Sequence, residues 1–139
     1  MTGYLAFDAA AVEYASFSFK APTGLDESAG FTAKFEWVEA ASATSHDCVW
    51  SVEIQAQGDG DTIDSAFGTA VTVTDTGSSG TRRVTSETST ITPGGTWTAG
   101  DEIIVRVSRL ATSGSDTLDV DAKLIGVTLL ATQDSLLEA

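Results

Sequence analysis

Basic residues are scarce in this chain. Seven Lys and Arg stand against twenty Asp and Glu in 139 residues, a formal net charge of −13 at pH 7. A surface of that sign repels phosphate, which argues against nucleic acid and against anionic membranes as partners. A single cysteine, Cys48, cannot close an intrachain disulfide, so packing must supply the stability. No apolar run approaches the roughly 20 residues of a membrane helix. The opening "MTGYLAFDAA" lacks a basic start followed by a long apolar stretch, so neither signal peptide nor anchor is expected, and first folding is expected in a reducing cytoplasm.

What is present is enough apolar material, 42% of the residues, for one packed domain. It recurs mainly at period two between Gly, Ser, Asp and Thr clusters, the mark of short antiparallel strands. About eight such runs are visible. In "EYASFSFKAP", Ala15, Phe17 and Phe19 are expected inward and Ser16, Ser18 and Lys20 outward, with Pro22 ending the strand. "FTAKFEWVE" repeats the pattern through Phe31, Ala33, Phe35 and Trp37, and "CVWSVEIQAQ" through Cys48, Trp50, Val52, Ile54 and Ala56.

"TAVTVTD" and "TRRVTSETSTIT" are Thr-rich and half apolar, as edge or outer strands are. "DEIIVRVSRL" alternates through Ile103, Val105 and Val107. "TLDVDAKLIGVTLLAT" alternates through Leu118, Val120, Ala122 and Leu124, then turns apolar on both faces from Ile125 to Leu130, with a β-bulge expected at Gly126. That apolar end is either covered within the fold or part of a subunit contact. The expected architecture is all-β, an antiparallel β-sandwich resembling a jelly roll, with one short helical turn near 61–67. Residues 12–132 form the domain, 133–139 a tail holding Leu136 and Leu137, and 1–11 either a first strand or a reaching arm with Tyr4, Leu5 and Phe7 as apolar anchors.

The stretch "GDGDTIDSAFG" sets Asp59, Asp61 and Asp64 among glycines. An EF-hand loop needs an oxygen ligand at its fifth position and glycine at its sixth, where this chain has Ile63 and Asp64. A turn at Gly58 and Gly60 leading into a helical cap, with Ile63, Ala66 and Phe67 buried and Gly68 closing it, fits better than an opportunistic calcium site. No cofactor is expected. Asp119 and Asp121, two apart in an expected strand, would lie about 6–7 Å apart on one face. They invite comparison with paired glycosidase carboxylates, but an exposed acidic face accounts for them as well.

His46 is the only histidine and Cys48 reads as core, so nucleophilic catalysis and a closed zinc site are both poorly provided for. Trp97, in "GGTWTAGD", either lids one end of the sandwich or stacks on a sugar. Arg82, Arg83, Arg106 and Arg109 are the basic concentrations, candidates for pairing with acids on an adjacent copy.

Taken in order, "EYASFSFKAP", "VWSVEIQAQ", "DTIDSAFGTAVTVTD" and "TAGDEIIVRVSRL…DTLDVDAKLIGVTLL" resemble small β-sandwich virion proteins of tailed double-stranded DNA bacteriophages, over Phe7 to Thr132. The resemblance implies a structural protein and no enzyme, with no catalytic residue to carry over. It implies a capsid cement (decoration) protein on the virion surface, made in the host cytoplasm, binding the major capsid protein and copies of itself, with a homotrimer matching a three-fold lattice position. The alternative it implies is a tail-fibre or spike module that recognises host glycans, with Trp97 foremost.

Overall fold

The computed structural model describes residues 3–134. Among them are eight strands and no helix: β1 (Leu5–Phe7), β2 (Glu13–Lys20), β3 (Phe31–Glu39), β4 (Asp47–Gln57), β5 (Val71–Thr76), β6 (Arg83–Val84), β7 (Glu102–Arg109) and β8 (Ala122–Ala131). They form two antiparallel sheets of four, in the orders β1-β8-β3-β6 and β2-β7-β4-β5. First therefore pairs with last, second with seventh, third with sixth and fourth with fifth, so the chain behaves as one long hairpin rolled into a sandwich. This is the wiring of a jelly roll.

The inward faces follow the period-two pattern. Phe31, Ala33, Phe35 and Trp37 on β3 and Trp50, Val52, Ile54 and Ala56 on β4 are all buried. Trp50 is the hub between the sheets: Phe35 stacks on it at 5.4 Å, while Phe7 and Trp37 meet it edge-on at 5.3 and 6.1 Å. Such offset and edge-to-face arrangements add to the area they bury. Residues 5–7 are thus a first strand, and its Phe7 belongs to the core.

The expected helical turn at 61–67 is not formed, and Ile63, assigned to its buried stripe, is 79% exposed. The segment crosses the outer face of β4 as an irregular loop. Gln55 Nε2 donates to the Ser65 carbonyl and Gln57 Nε2 to the carbonyls of Thr62 and Ile63, taking acceptors that a helix would spend on its own turns. The Arg106 guanidinium lies 4.4 Å from the Phe67 ring centroid. This cover is why Gln55 on the outward side of β4 is buried as well.

Two further expectations shift. The Thr-rich strand expected over 81–92 contracts to Arg83–Val84; beyond it, Thr85 and Thr88 attach to β3 in another way. The backbone N–H of each donates to the carbonyls of Phe35 and Ala33 at 2.9 Å, and each hydroxyl accepts from the same residue's N–H at 3.1 and 3.0 Å. The last strand begins at Ala122, so Asp119 and Asp121 sit in the loop that precedes it. The bulge appears where the glycine indicated: Glu36 pairs with Gly126 and Trp37 with Leu124, leaving Ile125 as the extra residue.

Candidate interaction surface

β1 is three residues long and pairs only with Leu124, Lys123 and Ala122 of β8. From Gly126 to Ala131, β8 has β3 as its one strand partner among the described residues. On the facing sheet β2 runs for eight residues, paired on one side with β7. The sandwich is therefore open along this flank. The opening is a groove of about 400 Å³ between Tyr4, Leu5, Leu124, Ile125 and Val127 on one wall and Ala15, Phe17 and Val107 on the other.

Its rim is apolar and wet. Tyr4 is 48% exposed, Leu5 54% and Phe17 40%. Phe17 points inward as its position in β2 requires, yet lacks cover because β1 does not extend over it. The Lys123 ammonium lies 4.8 Å over the Tyr4 ring, so Tyr4 is held at the mouth by a cation. A contiguous apolar patch framed by polar residues is the usual mark of an interaction site. Among the described residues no carboxylate, histidine or cysteine lines the groove, and its one titratable wall group is the Tyr4 phenol, so it offers chiefly shape and apolar contact.

Of the arm residues singled out in the sequence, Tyr4 and Leu5 thus share this surface, while Phe7 is 2% exposed and leaves it. The arginines do not gather on a contact face. Arg82 pairs with Glu36 at 2.6 Å and Arg106 with Glu53, both within the chain. Arg83 lies on β6 opposite Trp37. Arg109 is fully buried, forked onto Asp116, with its remaining donors on the carbonyls of Phe7, Leu118 and Val120. It ties the end of β7 to β1 and to the loop before β8, and has no surface left for a neighbour.

Trp97 is 4% exposed and packs on Phe31 with ring centroids 5.5 Å apart. It is a lid on one end of the sandwich, and offers no platform for a sugar. Asp59, Asp61 and Asp64 lie exposed, with the Asp61 carboxylate accepting from the Gly58 N–H at 2.7 Å. Among the described residues no group of three or more His, Cys, Asp or Glu is placed to hold a metal ion.

Asp119 caps the neighbouring loop: its carboxylate accepts from the Thr44 hydroxyl and N–H and from the Ser45 N–H, and the Thr44 hydroxyl leads in pulling it down to about 2. That is a structural use of a carboxylate, and the opposite of the raised pKa a general acid needs. His46 Nδ1 meets the buried Glu39 at 2.8 Å, and the Ser79 hydroxyl bonds to the same carboxylate rather than to the imidazole. Cys48 is buried, and burial pushes its thiol well up. Leu136 and Leu137 lie outside the described residues.

The sequence pattern missed the groove because it is made by a difference in strand lengths. Its visible traces were the apolar second half of β8 and the arm residues Tyr4 and Leu5.

No family model, curated protein or solved structure matches this chain.

Proposed function

We propose that this is a structural assembly protein that works by docking its open flank onto a larger particle, and that the particle is a tailed-phage virion with the head shell as the docking partner. The observation that carries the first half is the groove, where Tyr4, Leu5 and Phe17 hold apolar surface in water at one edge of the sandwich. The second half rests on the ordered resemblance of four sequence segments to virion β-sandwich proteins. Jelly rolls recur among capsid and lectin domains, which is compatible with the reading and specifies neither role.

A protein that binds the assembled lattice and not its free subunits stabilises that lattice by mass action, with no reactive group required. The glycan-binding alternative loses its leading residue, since Trp97 is packed inside the end of the sandwich. Cryo-electron microscopy of purified particles provides the test. Many copies distributed over the shell, seated by the Leu5 flank, are the expected result. Copies confined to the tail, or none on the particle, would overturn the cement role.

A further inference from the structure

The outer edge of β2 is a complete strand edge with no partner among the described residues. Its hydrogen-bonding phase follows from its neighbours. The Ala21 N–H donates to Asp101, and the Leu110 N–H to Val49 across β7, so the odd residues of β2 spend their backbone groups on β7. The N–H and C=O groups of Tyr14, Ser16, Ser18 and Lys20 therefore point outward. These four positions are symmetric about Phe17.

We propose that two copies of this chain pair through their β2 strands, antiparallel, about a two-fold axis passing beside Phe17. Ser16 then exchanges both backbone bonds with Ser18 of the second copy, and Tyr14 with Lys20, so every outward group of the strand is used. The register also keeps side-chain faces in step, since opposed residues share parity and both sandwiches lie on the same side of the joined sheet. Phe17 meets its own symmetry mate as a non-hydrogen-bonded pair, the closer type. That contact covers an aromatic ring that is otherwise 40% exposed.

Self-association fits the local charge as well as the backbone. The chain carries −13 overall, which disfavours most contacts between copies. This edge is locally balanced: β2 holds one acid and one base, Lys20 is paired with Glu102 at 3.0 Å, and Arg106 with Glu53. The edge also lacks the usual guards against pairing, having no proline, bulge or inward charge in its centre. Pairing would merge the two grooves into one cleft floored by the Phe17 pair and walled by Leu5 of each copy, so in the dimer it is Tyr4 and Leu5, and not Phe17, that remain for the shell. The edge builds a two-fold dimer, in place of the three-fold ring that the sequence resemblance implies, and it does so whether or not the chain belongs to a virion.

The test is sedimentation of the full chain over a concentration series, with four substituted variants. The parent is expected to form a dimer that dissociates on dilution. Ser16→Pro, which removes an N–H that β7 does not use, is expected to weaken dimerisation tenfold or more with its melting transition retained. Phe17→Cys is expected to crosslink to its mate under mild oxidation, because a non-hydrogen-bonded pair stands at about 4.5 Å between Cα atoms, within disulfide reach. Ala15→Cys and Phe19→Cys, out of register with themselves, should not crosslink. A parent that stays monomeric into the millimolar range would overturn the proposal, as would crosslinking at 15 or 19 in place of 17.

Discussion

Arg109 and Asp116 form a two-pronged ion pair inside the sandwich: guanidinium Nε and Nη2 lie 3.0 and 2.8 Å from the two carboxylate oxygens, and the side chains are 0% and 1% exposed. Removing one partner from such a pair leaves an uncompensated buried charge, at a cost of about 3–5 kcal/mol. Asp116→Ala is expected to lose stability on that scale in urea unfolding. Because replacing both charges by apolar groups is often close to neutral, Arg109→Met combined with Asp116→Leu should recover much of the loss. An additive double variant would show that the carbonyl contacts of Arg109, and not its charge pair, carry the effect.

Asp119 makes stability depend on acid pH in a defined window. Its pKa in the fold, about 2, lies below the ordinary carboxylate value of about 3.9. A depressed group contributes stability that is fully present above the unfolded value and is lost as pH falls through the folded one. The stability difference between parent and Asp119→Asn is therefore expected to be constant above about pH 4 and to shrink toward about pH 2. Melting curves across that range check it; a difference that stays flat would mean that the Thr44 and Ser45 bonds do not favour the ionised form.

Thr85 and Thr88 stand in for a strand. Each hydroxyl satisfies one backbone N–H of β3, at Phe35 and Ala33, in a buried setting. Valine keeps the shape and removes the acceptor, stranding a buried donor at about 1–3 kcal/mol. Thr85→Val and Thr88→Val are each expected to destabilise by that amount, read from chemical unfolding, and amide exchange at Phe35 and Ala33 should quicken. Serine at either position should cost less, since it retains the oxygen.

How much of this was legible in the sequence depends on what fixed each feature. The inward stripe of β3 and the bulge beside Gly126 follow from local rules, period two and a residue without a side chain, and both were readable. The loop at 61–67 was misread because its own pattern allows a helical turn, while Gln55 and Gln57, earlier in the chain, take the carbonyls such a turn would use. Burial of Phe7 and of Trp97 depends on Trp50 and Phe31, partners far along the chain. Arg109 resembled a surface cation because the strand pattern carries no sign of Asp116 arriving from the following loop. The groove depends on β1 stopping after three residues, which only the paired strands reveal.

Leu5 separates docking from folding. It is 54% exposed at the groove mouth, whereas its neighbour Phe7 is 2% exposed against Trp50. Leu5→Asp places a charge in water in the free protein, so its melting temperature is expected to change little, surface substitutions usually falling within about 0.5 kcal/mol. In a docked state the same charge would be buried without a partner, which is costly. Co-sedimentation with purified phage heads is therefore expected to fall tenfold or more for Leu5→Asp at unchanged stability. Phe7→Ala should do the reverse, losing about 3–5 kcal/mol of stability through the cavity it leaves while the fraction that remains folded still binds. If Leu5→Asp binds heads as the parent does, the open flank is not the docking surface.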